Sequence, residues 1–160
     1  MLGLPYNRIM IIHGQSLSSG LEDYIEAIYI SQLANEQLKG AELARKLNIS
    51  RASVSEALSK LVAKGLVSYN RYEYISLTKE GETEARQVYE KHHIIEDFLE
   101  NVLGVSSSEA SDNACKIEHI ISENILLKLE KFSEFFKKHK KILDLYIEES
   151  ETDAPNKCNR

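Results

Sequence analysis

Residues 40–77, GAELARKLNISRASVSEALSKLVAKGLVSYNRYEYISL, decide the fold. Gly40 opens a helix over 41–47, and Asn48-Ile49-Ser50 make a short turn. The Ser50 hydroxyl then suits the N-cap of a second helix running from Arg51 to about residue 64. Val54, Leu58, Leu61 and Val62 form its apolar stripe. Ser53, Glu56, Ala57 and Lys60 form an outward stripe of small or polar side chains that begins beside Arg51. Gly65 ends the helix, and the alternation over 66–70 and 74–77 predicts two strands joined near Arg71-Tyr72-Glu73. Helix, three-residue turn, helix and hairpin is the order of a winged helix-turn-helix, in which the second helix enters a major groove and the wing touches the backbone or minor groove. The candidate DNA-contacting residues are Lys39, Ser50, Arg51, Ser53, Ser55, Glu56, Lys60, Arg71 and Tyr72. Small hydroxyls permit close approach to base edges, the cations meet phosphates, and Glu56 can accept from a cytosine amino group. The plainer alternative is a small helical core whose hairpin serves protein contacts.

Outward from this stretch, Leu21, Ile25, Ile28, Tyr29 and Leu33 recur at helical spacing, so 21–33 is a helix. Residues 1–20 hold three glycines, a proline and a serine cluster, and are expected to form a flexible arm. Thr78 caps a long helix over 82–102; Gly104 and Ser106–Ser108 mark a loop. Two more helices are expected over 112–129 and 132–147, before a polar, disordered tail from 148 to 160. The domain reading is a winged helix-turn-helix over 21–79 followed by an all-helical unit over 80–147, a mainly α chain. Apolar residues at Ile117, Ile120, Ile121, Ile125, Leu126 and Leu129 exceed what one helix of a small domain needs and suggest a homodimer, with intrachain core as the other use for them.

The chain of 160 residues is long enough to bury a core, and its net charge of −5 excludes a generally basic nucleic-acid coat. Charge is unevenly placed. Residues 39–71 carry seven Lys/Arg against two Asp/Glu, a local footprint for phosphates. No run approaches the roughly 18 apolar residues that span a bilayer, so a cytoplasmic protein without membrane contact is expected. Two cysteines give no disulfide framework.

Metal-ligand residue types gather in the rest of the chain. His92 and Glu96 are i, i+4 on one predicted helix; Cys115, Glu118 and His119 share a face of another; Asp23 and Glu26 are neighbours on the first. Thiolate, imidazole and carboxylate together suit Fe(II), Mn(II), Co(II) or Zn(II) better than Mg or Ca. Taken singly each has an ordinary use: surface acids, a buried thiol, an interhelical histidine. A metalloenzyme, with an open coordination position activating water, and a metal-binding module that binds no DNA are the rival readings. Neither a Gly-rich phosphate loop, a nucleophile elbow nor an HExxH motif is present to favour an enzyme.

With these motifs in place, LEDYIEAIY at 21–29, SRASVS at 50–55, LTKEG at 77–81, HHIIEDFL at 92–99 and CKIEH at 115–119, the chain strongly resembles the diphtheria-toxin-repressor and manganese-transport-repressor family of metal-dependent regulators over roughly residues 21–136. The resemblance implies a winged helix-turn-helix and a helical dimerisation domain with metal bound between them, repression of a metal uptake system, a double-stranded DNA operator as partner, and a short form lacking the family's SH3-like domain. It implies a metal site of Asp23, Glu26, His92, Cys115, Glu118 and His119. Asp23 and Glu26 match the manganese-type branch, whereas Cys115 matches the iron-type branch. Glu96, with His92, matches part of the iron branch's ancillary site, where Ser111 stands in place of a second histidine. Fe(II) and Mn(II) both remain open as the cofactor.

Overall fold

The computed structural model describes residues 17–70 and 73–152, with side chains through Glu149. Most of the expected arm, Arg71, Tyr72 and the end of the expected tail lie outside the described residues. The order is α1 (Ser19–Leu33), α2 (Gly40–Lys46), α3 (Arg51–Ala63), β1 (Val67–Ser68), β2 (Ser76–Leu77), α4 (Lys79–Asn101), α5 (Ser107–Ile117), α6 (Glu123–Lys138) and α7 (Lys140–Thr152). No helix among the described residues is long and apolar enough to cross a membrane.

The helix-turn-helix is built from local chemistry. Asn48, with φ of 54°, takes the left-handed position after α2, which Asn tolerates better than most side chains. The Ile49 N–H then reaches back to the Ala44 carbonyl at 3.0 Å, the bond that closes a Schellman turn. Ser50 next starts α3 by accepting the Ser53 N–H at 3.0 Å. Gly65 repeats the stop after α3 at φ 73°, with the Leu66 N–H on the Leu61 carbonyl at 3.0 Å. The wing is short: Val67 pairs with Leu77 and Ser68 with Ser76 in an antiparallel ladder. It is narrower than the predicted strands.

Ile25, Ile28, Leu43, Val54, Leu58 and Leu61 are buried together with Leu38, Val67 and Ile75. Each such side chain contributes about 1.5–3 kcal/mol on burial. Two details of α3 differ from the sequence reading. Ala57 is buried and Val62 is 40% exposed, because 54, 57, 58 and 61 fall on one helical face and 62 flanks it. The predicted stripe on α1 also loses Leu33, which is exposed.

α4 is the spine. It packs against α1, α5, α6 and β2, and so belongs to both halves. Its start is tied to the end of α3: Thr78 Oγ1 accepts the Gly81 N–H at 3.0 Å and donates to the Gly65 carbonyl at 2.7 Å. Ile95, Ala114 and Leu126 form the second core, with Ile94, Leu99, Ile117, Ile121 and Leu129 against it.

Several boundaries depart from expectation. α1 begins inside the expected arm, at Ser19, and α7 continues to Thr152. The two helices expected over 112–129 and 132–147 are three, α5, α6 and α7, with breaks at residues 118–122 and at His139 and none at 130–131. Ser106 caps α5 early, and Ser122, extended at φ −74° and ψ 148°, starts α6. No glycine or proline marks that break.

Gly81 sits where α4 meets the hairpin, and a Cβ there would overlap the Leu66 carbonyl. Gly81→Ala is expected to destabilise the fold by about 1–3 kcal/mol, the usual cost of overpacking, read as a lower urea midpoint with an unchanged slope.

Candidate metal centre and DNA-reading face

The break between α5 and α6 shapes the candidate centre. Cys115 lies in the last turn of α5, Glu118 is its C-cap and His119 falls in the turn beyond. The sequence placed all three on one helix; α5 ends at Ile117, so Glu118 and His119 lie just past it, and their side chains meet groups of α4 and α1.

Two groups of ligand-type atoms result, with members of each lying within 4.8 Å of one another: His92, Cys115 and Glu118; and Asp23, Glu118 and His119. Glu118 belongs to both. Its Oε2 lies 2.7 Å from His92 Nδ1, and Cys115 Sγ is 3.7 Å from the same nitrogen. On the other side His119 Nε2 is 3.0 Å from Asp23 Oδ1 and 3.5 Å from Glu118 Oε1. Glu118 is only 2% exposed, yet among the described residues its Oε1 has no hydrogen-bond partner, only the longer contact to His119 Nε2. A buried carboxylate oxygen left unpaired costs several kcal/mol unless a cation satisfies it. That orphan, surrounded by a thiol, two imidazoles and carboxylates, fits a divalent transition metal.

Glu26 is in neither group but borders both. Burial, then the Glu118 charge, pushes its carboxyl up to about 7. Burial, with Glu118, Glu26 and Asp23 around it, pushes the Cys115 thiol up to about 11. His92 is raised chiefly by its hydrogen bond to Glu118. Burial pulls His119 down, but the bond to Glu22 and the nearby acids outweigh it and the net shift is upward. All four shifts favour the protonated forms.

Glu96 stands apart. Its Oε1 is 3.9 Å from His92 Nε2, the ring nitrogen facing away from Glu118, and its Oε2 binds His93 Nδ1 at 3.1 Å. Ser111 Oγ is 3.5 Å from His92 Nε2. Glu96 thus joins a small polar group behind His92 and neither of the two triads. The structure also brings in Glu22, which spacing did not select: it lies 2.6 Å from His119 Nδ1. Only the tertiary placement of α1 against the turn reveals it.

On the other half, Arg51, Ser53, Ser55, Glu56 and Lys60 are exposed on α3. Ser50 is committed to capping and shares a 2.8 Å bond with the Ser53 hydroxyl. Lys60 Nζ is held by Glu56 at 2.7 Å, which also lowers the Glu56 carboxyl. Lys39 stands at the N-cap position of α2, donates its backbone N–H to Glu42 Oε2 at 2.8 Å, and places its ammonium 4.9 Å over the Tyr74 ring at the wing.

Residues 16–75 match the iron dependent repressor N-terminal DNA binding domain, and residues 78–144 match the iron dependent repressor metal binding and dimerisation domain. The chain belongs to the iron-dependent repressor family, whose members are metal-dependent, DNA-binding transcriptional regulators. It is 41% identical to an HTH-type transcriptional regulator of Methanocaldococcus jannaschii, over 76% of this chain and 98% of that one. It is 36% identical to the transcriptional regulator MntR of Escherichia coli, over 74% of each chain. The solved manganese regulator SloR superposes with a TM-score of 0.65 at 33% identity, over 72% of this chain and 54% of that one. The chain thus spans about half the length of that structure.

The raised groups set a sign. Glu26, His92 and His119 all titrate above their ordinary values, so each stabilises the metal-free fold below its unfolded pKa and that contribution is lost as pH rises through the folded one. The metal-free protein should therefore melt at progressively lower temperature between about pH 5 and pH 8. Metal must displace the same protons, so Mn(II) affinity should rise across that range. Calorimetric melting and titration at several pH values check both trends.

Proposed function

We propose that this chain is a cytoplasmic, metal-activated repressor that binds a double-stranded DNA operator as a homodimer, with Fe(II) or Mn(II) as its signal. Asp23, Glu26, His92, Cys115, Glu118 and His119 hold the metal. The observation that carries this reading is the orphaned Glu118 oxygen, buried where α1 of the DNA-reading half meets α4 and α5 of the helical half. The bound ion supplies positive charge there. The residues around it do the coupling: Asp23 and Glu26 ride on α1, so satisfying Glu118 also fixes α1, and through α1 the helix-turn-helix, against the helical domain.

Closing that joint favours the DNA-competent geometry over looser ones. A hundredfold preference of the metal for the closed state corresponds to about 2.7 kcal/mol of bias. The thiol of Cys115 leans the donor set toward iron, and the oxygen ligands from α1 keep manganese suitable. Phe132, Phe135, Ile142, Leu145 and Tyr146 are large exposed apolar residues on α6 and α7 and support a second copy packing there. Of the residues first considered for the dimer, Leu126 is buried and Ile117, Ile121 and Leu129 pack in the chain's own core, which leaves Ile120 and Ile125 exposed.

At the DNA, Arg51, Ser53, Ser55 and Lys60 face the groove, flanked by Lys39; Arg71 and Tyr72, outside the described residues, are contacts proposed from the sequence alone. Glu56 holds Lys60 away from phosphate. Fluorescence anisotropy on a duplex from the gene's upstream region, at one fixed salt concentration, tests the reading. Mn(II) or Fe(II) should tighten binding at least about tenfold over chelator, a gain of about 1.4 kcal/mol. Glu118→Ala should abolish that gain while leaving the dimer folded; metal-independent binding by the parent would remove the switch. Glu56→Gln should free Lys60 and steepen the salt dependence by about one phosphate contact.

A further inference from the structure

Glu22 is outside both ligand groups, yet it makes the shortest polar contact across the joint. Its Oε2 lies 2.6 Å from His119 Nδ1, and the two side chains are 20% and 12% exposed. The opposite ring nitrogen, Nε2, lies 3.0 Å from Asp23 Oδ1 and 3.5 Å from Glu118 Oε1. The imidazole therefore spans α1, with one adjacent acid of that helix at each nitrogen.

We infer that Glu22 is a positioning residue: its carboxylate holds the proton on His119 Nδ1 and aims the Nε2 lone pair at the space shared by Asp23 and Glu118. The inference rests on the metal-centre reading above. Its chemistry is that of a carboxylate–histidine pair behind a metal ligand. A neutral imidazole has one donor and one acceptor nitrogen, and the partner of the first decides the tautomer. A charged acceptor at this distance makes a strong bond, fixes the ring's rotation and raises the basicity of the free nitrogen. Asp23 cannot take this role, because it faces the nitrogen that must stay open. Glu22 also comes from α1, so the same bond draws the DNA-reading half against the turn after α5.

The full chain is tested with Mn(II) by competition calorimetry and with Zn(II), a diamagnetic probe, by nitrogen-15 NMR of the histidine rings. Glu22→Ala is expected to loosen Mn(II) about 10–100-fold, and Glu22→Gln, whose amide oxygen still accepts from Nδ1–H, to recover most of that loss. In the Zn(II)-loaded parent, His119 should carry its proton on Nδ1. A protonated Nε2, or Mn(II) affinity in Glu22→Ala equal to the parent's while His119→Ala loses it, overturns the positioning role alone. If His119→Ala also binds Mn(II) like the parent, the metal-centre assignment falls and this role with it. The NMR arm needs no variant, so a misfolded Glu22→Ala does not leave the matter open.

Discussion

The joint between the two halves is organised around a single carboxylate. Glu118 is almost wholly buried, has one oxygen on His92 and leaves the other without a hydrogen bond. A buried charge of this kind is tolerable only if cations or protons surround it. The neighbouring groups are arranged to supply either. His92 and His119 are raised toward their charged forms, and Glu26 and Cys115 are raised toward their neutral ones. These shifts all favour the protonated forms of the groups around the Glu118 carboxylate.

The candidate ligands come from both halves of the chain, as the proposed coupling to DNA requires. α1 carries Asp23, Glu26 and Glu22 on one side of the helix while Ile25 and Ile28 bury its other side in the helix-turn-helix core. α4 begins at the wing, tied by Thr78 to Gly65, and carries His92 near its middle. A rigid pair of helices therefore links the centre to α3. In the proposed switch, loss of the ion would leave those helices formed but weaken what holds them to α5 and its following turn. The task that reading gives the centre is mechanical: to fix an angle between two folded units.

Cys115 gives the centre its mixed character. A thiol pushed up to about 11 is a poor ligand until a metal removes its proton. Binding at this position therefore costs more at low pH than binding by carboxylates alone. Behind His92, Glu96 with His93 and Ser111 forms a polar backing. It occupies the second ring nitrogen and leaves Nδ1 facing Glu118 and Cys115.

The helix-turn-helix was legible in the sequence because each of its decisions is local. Asn48 and Gly65 take left-handed positions, Ser50 and Thr78 cap, and 54, 58 and 61 repeat at helical spacing, all within a few residues of one another. The ligand types were legible for a similar reason: acids, imidazoles and a thiol at i, i+3 and i+4 spacing stand out, and so does the family they resemble. What spacing could not reach was the break after Ile117. It contains no glycine or proline, and it follows from how α5 and α6 each pack on α4. Nor could spacing reach the packing that brings Glu22 to His119 across 97 residues of sequence. Local chemistry determined which residues could bear the function. Packing of distant helices decided which of them meet, because α1 and α5 are each held against α4 and that fixes their distances.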